Sequence, residues 1–247
     1  MKLYYSLAKR LARLGTSPVL RRRREATFLL DRHNWIDNRL IARAPFEEAQ
    51  LAHARQRLTE ERIEGIIDIG ANFGLYSILL ARLPGINAVE AFEPVRRNYN
   101  QLCGNIFANR LDAVITPHRL ALSDREGEAW IHIDPRSTGV SALEPERLAR
   151  KREVYRESES VPLKRLDDVI AWENSRVFVK IDVEGHALKV LAGMERFLAR
   201  NRVFVQIELL DGDREAIITA MQASGYALER EISGDGYFRR ERDHSAG

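Results

Sequence analysis

Four side chains in the second half of the chain are of types that take up or hold protons. Asp182, Glu184 and His186 fall within five residues of "IDVEGH", and Glu208 ends the apolar run "VFVQIE". His186 is the most natural general base, because an unperturbed imidazole titrates near neutral pH. It also stands where a helix should begin, and there a histidine can instead cap or pack. Glu184 could likewise accept backbone N–H groups at that helix start. On so apolar a strand, Glu208 should sit at the mouth of the sheet and not within it. With Asp182 and Glu184 it makes an oxygen set of the kind a hard cation takes, yet nothing in the spacing demands a metal and none is expected.

A second group of residues lies in "IIDIGANFG", which packs Asp68, Gly70, Asn72 and Gly74 into seven residues after an apolar run. In a doubly wound sheet ligands bind beyond the carboxyl ends of the strands, and a bare bend there lets the backbone approach them. A dinucleotide site needs G-x-G-x-x-G, and Asn72 stands where the second glycine belongs. That argues against a pyrophosphate, and so against a nicotinamide-dependent oxidoreductase. Glu93 follows Gly74 by 19 residues, in "AFEP", where an acid accepts hydrogen bonds from both hydroxyls of a ribose. Asp68 alone could simply bond turn amides; beside Glu93 and the bend it reads as part of a ligand site. Asn72 can bond the ligand, stabilise its own turn, or both. A nucleoside with an amino-acid tail and no phosphate meets these constraints, and S-adenosylmethionine is the common cofactor of that kind. Its two cationic groups favour an acid-rich crevice.

Short β-rich runs alternating with helices must position these groups. "GIIDIG" reads as a strand and "GLYSILLARL" as a helix, then strand "NAVEAFEP", helix "VRRNYNQLCGNIFANR" and strand "AVITPHRLAL". Over residues 124–160 the rhythm breaks: "GEAWIHID" reads as one extra strand, "PRSTGVSALEP" as loop, and "ERLARKREVYRESES" as a charged, exposed stretch. Ser137, Thr138 and Ser141 of that loop are placed to cover the crevice on the substrate side. The alternation resumes with strand "RVFVKIDVEG", helix "ALKVLAGMERFLARN", strand "RVFVQIELLDG", helix "DREAIITAMQASG" and two closing strands. The pattern predicts an α/β fold: a doubly wound, mostly parallel seven-stranded sheet with helices on both faces. Residues 1–45 form a basic helical N-terminal extension to a single cofactor-binding domain, 46–247.

"IIDIGANFG", "AFEP", "LALSDREG", "VPLKRLDDV", "VFVKIDVEGHALKVLAG" and "VFVQIELLDG" occur together in the order and spacing of the FkbM-type methyltransferases, which this chain resembles over roughly residues 35 to 238. The family is a branch of the class I S-adenosylmethionine-dependent enzymes, with a Rossmann-like fold. The resemblance implies O-methylation of a hydroxyl on a sugar, a glycolipid or oligosaccharide, or a polyketide-like metabolite. It places Asp68, Gly70, Asn72 and Gly74 in the cofactor loop, makes Glu93 the ribose acid, and sets Ala121 and Leu122 beside the adenine. Asp182 then faces the methionine end of the cofactor and the incoming acceptor. The family often reads "EGHE" where this chain has "EGHA", so Ala187 supplies no acid.

Composition narrows the partners. At 247 residues the chain can bury a sizeable core, and 45% hydrophobic with 30% charged content is that of an ordinary globular protein. Cys103, the one cysteine, excludes a disulfide framework and a cysteine-built zinc site, reads as core, and favours a cytoplasmic setting. No apolar run is long enough for a spanning helix. The net charge of +3 divides unevenly. Residues 1–58 carry 13 Lys+Arg against 5 Asp+Glu, net +8, and the rest carry 26 against 31, net −5. An amphipathic basic helix over residues 1–15 and "RRRR" at Arg21–Arg24 make residues 1–24 a surface for peripheral contact with anionic membrane. That head raises two alternatives, a nucleic-acid methyltransferase and a catalytically weak membrane-surface module that keeps the fold. Against the first, "IDVEG" replaces the Pro-Pro-aromatic motif presented to a flipped base, and no nucleic acid is expected.

Overall fold

The computed structural model describes residues 18–135, 137–143 and 155–240, together with Tyr5 and Gly15. The helix expected over residues 1–15, and residues 146–154 of the charged stretch, lie outside the described residues. A hairpin of β1 (Val19–Arg23) and β2 (Ala26–Leu30) leads to helices α1 (Trp35–Ile41) and α2 (Glu48–Glu60). The first half of the alternation is β3 (Gly65–Ile69), α3 (Leu75–Leu80), β4 (Ala88–Phe92), α4 (Arg96–Ala108) and β5 (Ile115–His118). An insertion follows, with β6 (Ala121–Leu122), β7 (Gly127–Ile133), β8 (Glu157–Lys164) and the short α5 (Leu166–Val169). The second half is β9 (Arg176–Ile181), α6 (Ala187–Ala192), α7 (Glu195–Arg200), β10 (Arg202–Glu208), α8 (Arg214–Ala223), β11 (Tyr226–Ile232) and β12 (Asp235–Arg240).

Seven strands form the main sheet in the order β11-β12-β10-β9-β3-β4-β5, parallel except for β12, which runs antiparallel to both neighbours. Period-two alternation explains why the strands are apolar throughout: successive side chains serve opposite faces, and both faces are covered. Val177, Val179 and Ile181 of β9, with Val203, Val205 and Ile207 of β10, enter the layer against α6, α7 and α8. Phe178 and Phe204 enter the other layer, with α2, α3 and α4. The chain runs outward one way from β3 and the other way from β9, so the order reverses between these paired strands. Their carboxyl ends mark the crevice where such sheets bind ligands.

Four expectations are corrected. The extension between residues 18 and 45 is a hairpin and one short helix, not helical throughout. Ala26, Phe28 and Leu30 alternate inward and join the core of the main sheet, which a solvated helix could not do. Gln101, Asn105 and Asn109, spaced four apart on one face of α4, bond the β2 backbone: Gln101 Nε2 to the Leu29 carbonyl at 2.8 Å, the Leu29 N–H to Asn105 Oδ1 at 2.6 Å, and Asn109 Oδ1 and Nδ2 to the N–H and carbonyl of Thr27 at 3.0 and 2.6 Å. Secondly, "AVITPHRLAL" is two strands. β5 ends the main sheet, whereas β6 belongs to a separate three-stranded sheet, β6-β8-β7. Thirdly, residues 157–160 of the charged stretch are strand, because the alternation continuing through Val161 and Leu163 buries one face of β8 against Ile131 and Ile133 of β7. Cys103 is half-buried, not core.

Phe28 is fully buried and meets Phe73 edge-to-face, centroids 5.8 Å apart. Phe28→Ala is therefore expected to cost about 3 kcal/mol in a urea titration; a cost under about 0.5 kcal/mol would show that the hairpin is an appendage.

Candidate active site

The bend after β3 is shaped by a close crossing of two strand ends. Gly70 has φ +81°, and a Cβ there would lie 1.9 Å from the Asp182 carbonyl oxygen, so no larger residue fits. The N–H groups of Gly70 and Ala71 both donate to the Phe92 carbonyl at 2.9 Å, tying the bend to the end of β4. Asn72, also left-handed at φ 53°, donates its N–H to Glu93 Oε2 at 2.8 Å. Glu93 Oε1 accepts from the Val95 N–H at 2.8 Å and from Asn98 Nδ2 at 3.4 Å. Glu93 thus faces the bend and holds it. Burial outweighs these bonds and pushes its carboxyl up to about 7.

Asp68 is 1% exposed. Its Oδ2 accepts from the N–H and hydroxyl of Ser77, at 3.1 and 2.6 Å, in the first turn of α3. Its Oδ1 is buried with no hydrogen-bond partner among the described residues. Burial raises its pKa, and the nearby Lys180 opposes this most. The structural reading of Asp68 therefore accounts for one oxygen and leaves the other without a partner among the described residues.

Bend, strand ends and insertion enclose a cleft of ≈ 260 Å³. Asp68, Gly70, Asn72, Glu93, Ala121, Leu122, Asp182, Glu184, His186 and Glu208 all line it; Gly74, singled out with them, does not. Gly74 instead caps α3 at φ +90°, where a Cβ would lie 2.6 Å from Leu102 Cδ1. Ser137, Thr138 and Ser141 cover one side as expected. Thr138 Oγ1 accepts from Asn34 Nδ2 at 2.7 Å, and its carbonyl accepts from Asn98 Nδ2 at 3.2 Å and the Ser141 hydroxyl at 2.8 Å. Gly139 lies so close over the bend that a Cβ would meet Asn72 Nδ2 at 2.7 Å.

Two lining residues were missed from the sequence. Lys180, buried near the end of β9, sits 2.8 Å from Asp182 Oδ2 and 4.8 Å above the Tyr76 ring. Burial disfavours its charge, yet Asp182, Glu47 and Asp68 hold its pKa well above the ordinary value. Glu47 precedes α2 in a left-handed conformation, φ 52°, and hydrogen-bonds Tyr76; burial pushes it up to about 7. A lysine inside "VFVKID" was the available signal for the first; a left-handed glutamate leaves none.

His186 is 5% exposed at the N-cap of α6, with Nε2 3.0 Å from the Ser123 hydroxyl. The packing reading is realised, the side chain makes no cap hydrogen bond to α6, and the ring reaches the cleft. Glu184 adopts φ 46° beside it. Glu208 ends β10 at the sheet mouth, and burial, then Asp182 and Glu184, push its carboxyl up to about 9. Among the described residues no group of three or more His, Cys, Asp or Glu is placed to hold a metal ion.

Among the described residues the lining sets six carboxyl groups against one lysine and includes no arginine. Asp37, Glu47 and Glu93 near 7, with Glu208 near 9, bind protons more readily folded than unfolded. Their contribution to stability is fully present below about pH 4 and is lost as pH rises through about 7 and, for Glu208, 9. The ligand-free protein should melt at a higher temperature at pH 5.5 than at pH 8, with the gap narrowed in Glu47→Gln. A melting temperature that rises over that interval would contradict this.

Comparison with known proteins agrees with the geometry. Residues 68–228 match the Methyltransferase FkbM domain. The chain is 28% identical over 197 residues to "Methyltransferase sdnD" of Sordaria araneosa, covering 67% of this chain and 74% of that protein. It is 27% identical over 196 residues to "31-O-demethyl-FK506 methyltransferase FkbM" of Streptomyces tacrolimicus, again covering 67% and 74%. The crystal structure of a methyltransferase FkbM from Methylobacillus flagellatus superposes with TM-score 0.51 at 18% identity, over 72% of this chain and 44% of that one. This chain thus spans under half of that longer protein, and the likeness shows the fold. The chain belongs to the FkbM family of S-adenosylmethionine-dependent methyltransferases.

Proposed function

We propose that the protein transfers a methyl group to a hydroxyl oxygen of a sugar, a glycolipid or oligosaccharide, or a polyketide-like metabolite. The observation that carries this reading is the Glu93 carboxylate, turned toward a glycine bend across a cleft whose described lining is rich in acids and holds no arginine. Such a cleft suits a cationic nucleoside and disfavours phosphates. The relative named a 31-O-demethyl-FK506 methyltransferase is, by its name, an enzyme of O-demethyl acceptors, which supports oxygen as the atom methylated.

The residues present fit S-adenosylmethionine. Glu93 would hold the ribose, Ala121 and Leu122 would border the adenine, and the Gly70–Asn72 backbone would pass close beneath. Asp68, through its unpartnered Oδ1, and Asp182 would face the amino-acid end. When bound, the cofactor supplies a methyl already activated by a positive sulfur. The chain's own task is alignment, exclusion of water and acceptance of the hydroxyl proton. We assign that proton to Asp182, whose side chain is 34% exposed on the cleft wall and is steadied by Lys180. Glu208, near 9, already holds a proton at neutral pH, and His186 Nε2 is engaged by Ser123. His186 and Glu184 then position the loop that carries Asp182.

Asp182→Asn should retain binding of radiolabelled cofactor while turnover falls about 10²- to 10⁴-fold; unchanged turnover would remove Asp182 from the chemistry. Glu93→Ala should abolish binding. In the wild type, affinity should rise with pH through about 7, as Glu93 becomes an acceptor, and this dependence should weaken in Glu93→Gln, leaving the part that Glu47 contributes. Failure of the folded protein to bind the cofactor at millimolar concentration would overturn the reading.

A further inference from the structure

The hairpin and the α1–α2 connection enclose a second cavity, of ≈ 480 Å³, beside the acidic cleft. Arg22, Arg23, Arg24 and Arg43 line it, with Glu48 the one acid among the described lining residues. Phe46 and Leu75 line both cavities, so the two share a wall. Arg23 Nε and Nη2 donate to the Leu40 and Ile41 carbonyls at 2.5 and 2.8 Å, and Arg24 Nη2 donates to the Phe46 carbonyl at 2.8 Å. These bonds fix two of the four guanidinium groups, those of Arg23 and Arg24, to the frame and leave their charge uncancelled, while Arg22 and Arg43 stand exposed at the rim. Among the described residues, none of the four arginines is ion-paired with a carboxylate. Burial, then the neighbouring charges of Arg43 and Arg21, lower the pKa of Arg23, which registers the mutual repulsion.

Like charges gathered in a cavity raise the free energy of the empty state and are relieved by an anion. Guanidinium forks match oxyanions in geometry as well as charge, and four of them exceed what one carboxylate can satisfy. We propose that this cavity binds a phosphate group carried by the acceptor, whose hydroxyl reaches the acidic cleft past Phe46 and Leu75. The acceptor is then a phosphate-bearing glycan or metabolite, an inference that rests on the methyl-transfer reading. The separation of charge also sorts the ligands: the phosphate-free cofactor is favoured on the acid side and the anionic acceptor on the arginine side. The same phosphate chemistry is offered by a soluble phosphate ester and by the headgroup of a lipid-linked glycan.

The test uses the full chain. Inorganic phosphate is titrated calorimetrically at constant ionic strength, into wild type and into the double variant Arg22→Gln/Arg43→Gln. Among the described residues neither of these side chains donates a hydrogen bond, so the fold is expected to persist, checked by circular dichroism and melting without phosphate. The expected result is millimolar binding that weakens at least about tenfold in the variant. Sedimentation with phosphatidylglycerol–phosphatidylcholine vesicles distinguishes the sources. Co-sedimentation that the variant loses and phosphate inhibits assigns a lipid headgroup, and its absence beside intact phosphate binding assigns a soluble ester. No phosphate binding, or binding equal in both proteins, overturns the proposal. A chain that binds phosphate but not S-adenosylmethionine would keep the anion site and lose the methyl-transfer reading; the reverse result would do the opposite.

Discussion

The Glu93 carboxylate is the interaction on which the site depends. It receives the Asn72 N–H from one side and the Val95 N–H from the other, so a single side chain sets how far the β3 bend stands from the end of β4. The bend can come so close only because Gly70 lets it cross the Asp182 carbonyl. These contacts bring residues distant in sequence, Asp68, Glu93 and Asp182, to one cleft. Burying such a carboxylate is costly, and the protein offsets the cost with main-chain donors more than with a counter-ion.

Among the described residues, the cleft gathers more carboxyl groups than its one lysine can balance. Lys180 is surrounded by Asp182, Glu47, Asp68 and the Tyr76 ring and remains charged, whereas Glu208, farther from relief, keeps its proton. The glutamates of one cavity also differ, with Glu47 and Glu93 near 7 and Glu208 near 9, set by depth and neighbours. Across the Phe46–Leu75 wall the balance inverts, with arginines fixed by carbonyl oxygens. The polarity of the basic head and acidic body, visible in the residue counts, is reproduced at the scale of two adjoining cavities.

Much of the main sheet was legible because its strands obey a two-residue period and its bends carry glycine. "IIDIG", "VFVKI" and "VFVQIE" became β3, β9 and β10, and Glu93 faces the bend that its spacing implied. The hairpin was hidden because "RRRREATFLL" shows only three inward residues behind a block of cations. β8 was hidden because glutamates and serines fill the start of a strand whose buried positions come late. "AVITPHRLAL" gives no sign that its two ends enter different sheets, since that division is made by distant β8. Glu47 and Lys180 joined the site through folding alone: one lies 21 residues before Asp68, the other on a strand that an apolar count treats as uniform.

The amide side chains of Gln101, Asn105 and Asn109 join the hairpin to α4, and Asn105 Nδ2 also donates to the Phe73 carbonyl inside the cofactor bend, at 2.8 Å. Primary amides do not titrate, and their bonds are weakly sensitive to salt. The frame that carries the arginines is therefore fastened to the frame that carries the carboxylates by uncharged amides, with the ion pairs Arg97–Asp31 and Arg55–Glu25 beside them. Acidity and ionic strength therefore act on the ion pairs beside this amide seam, while the amide bonds themselves hold the hairpin against α4 unchanged.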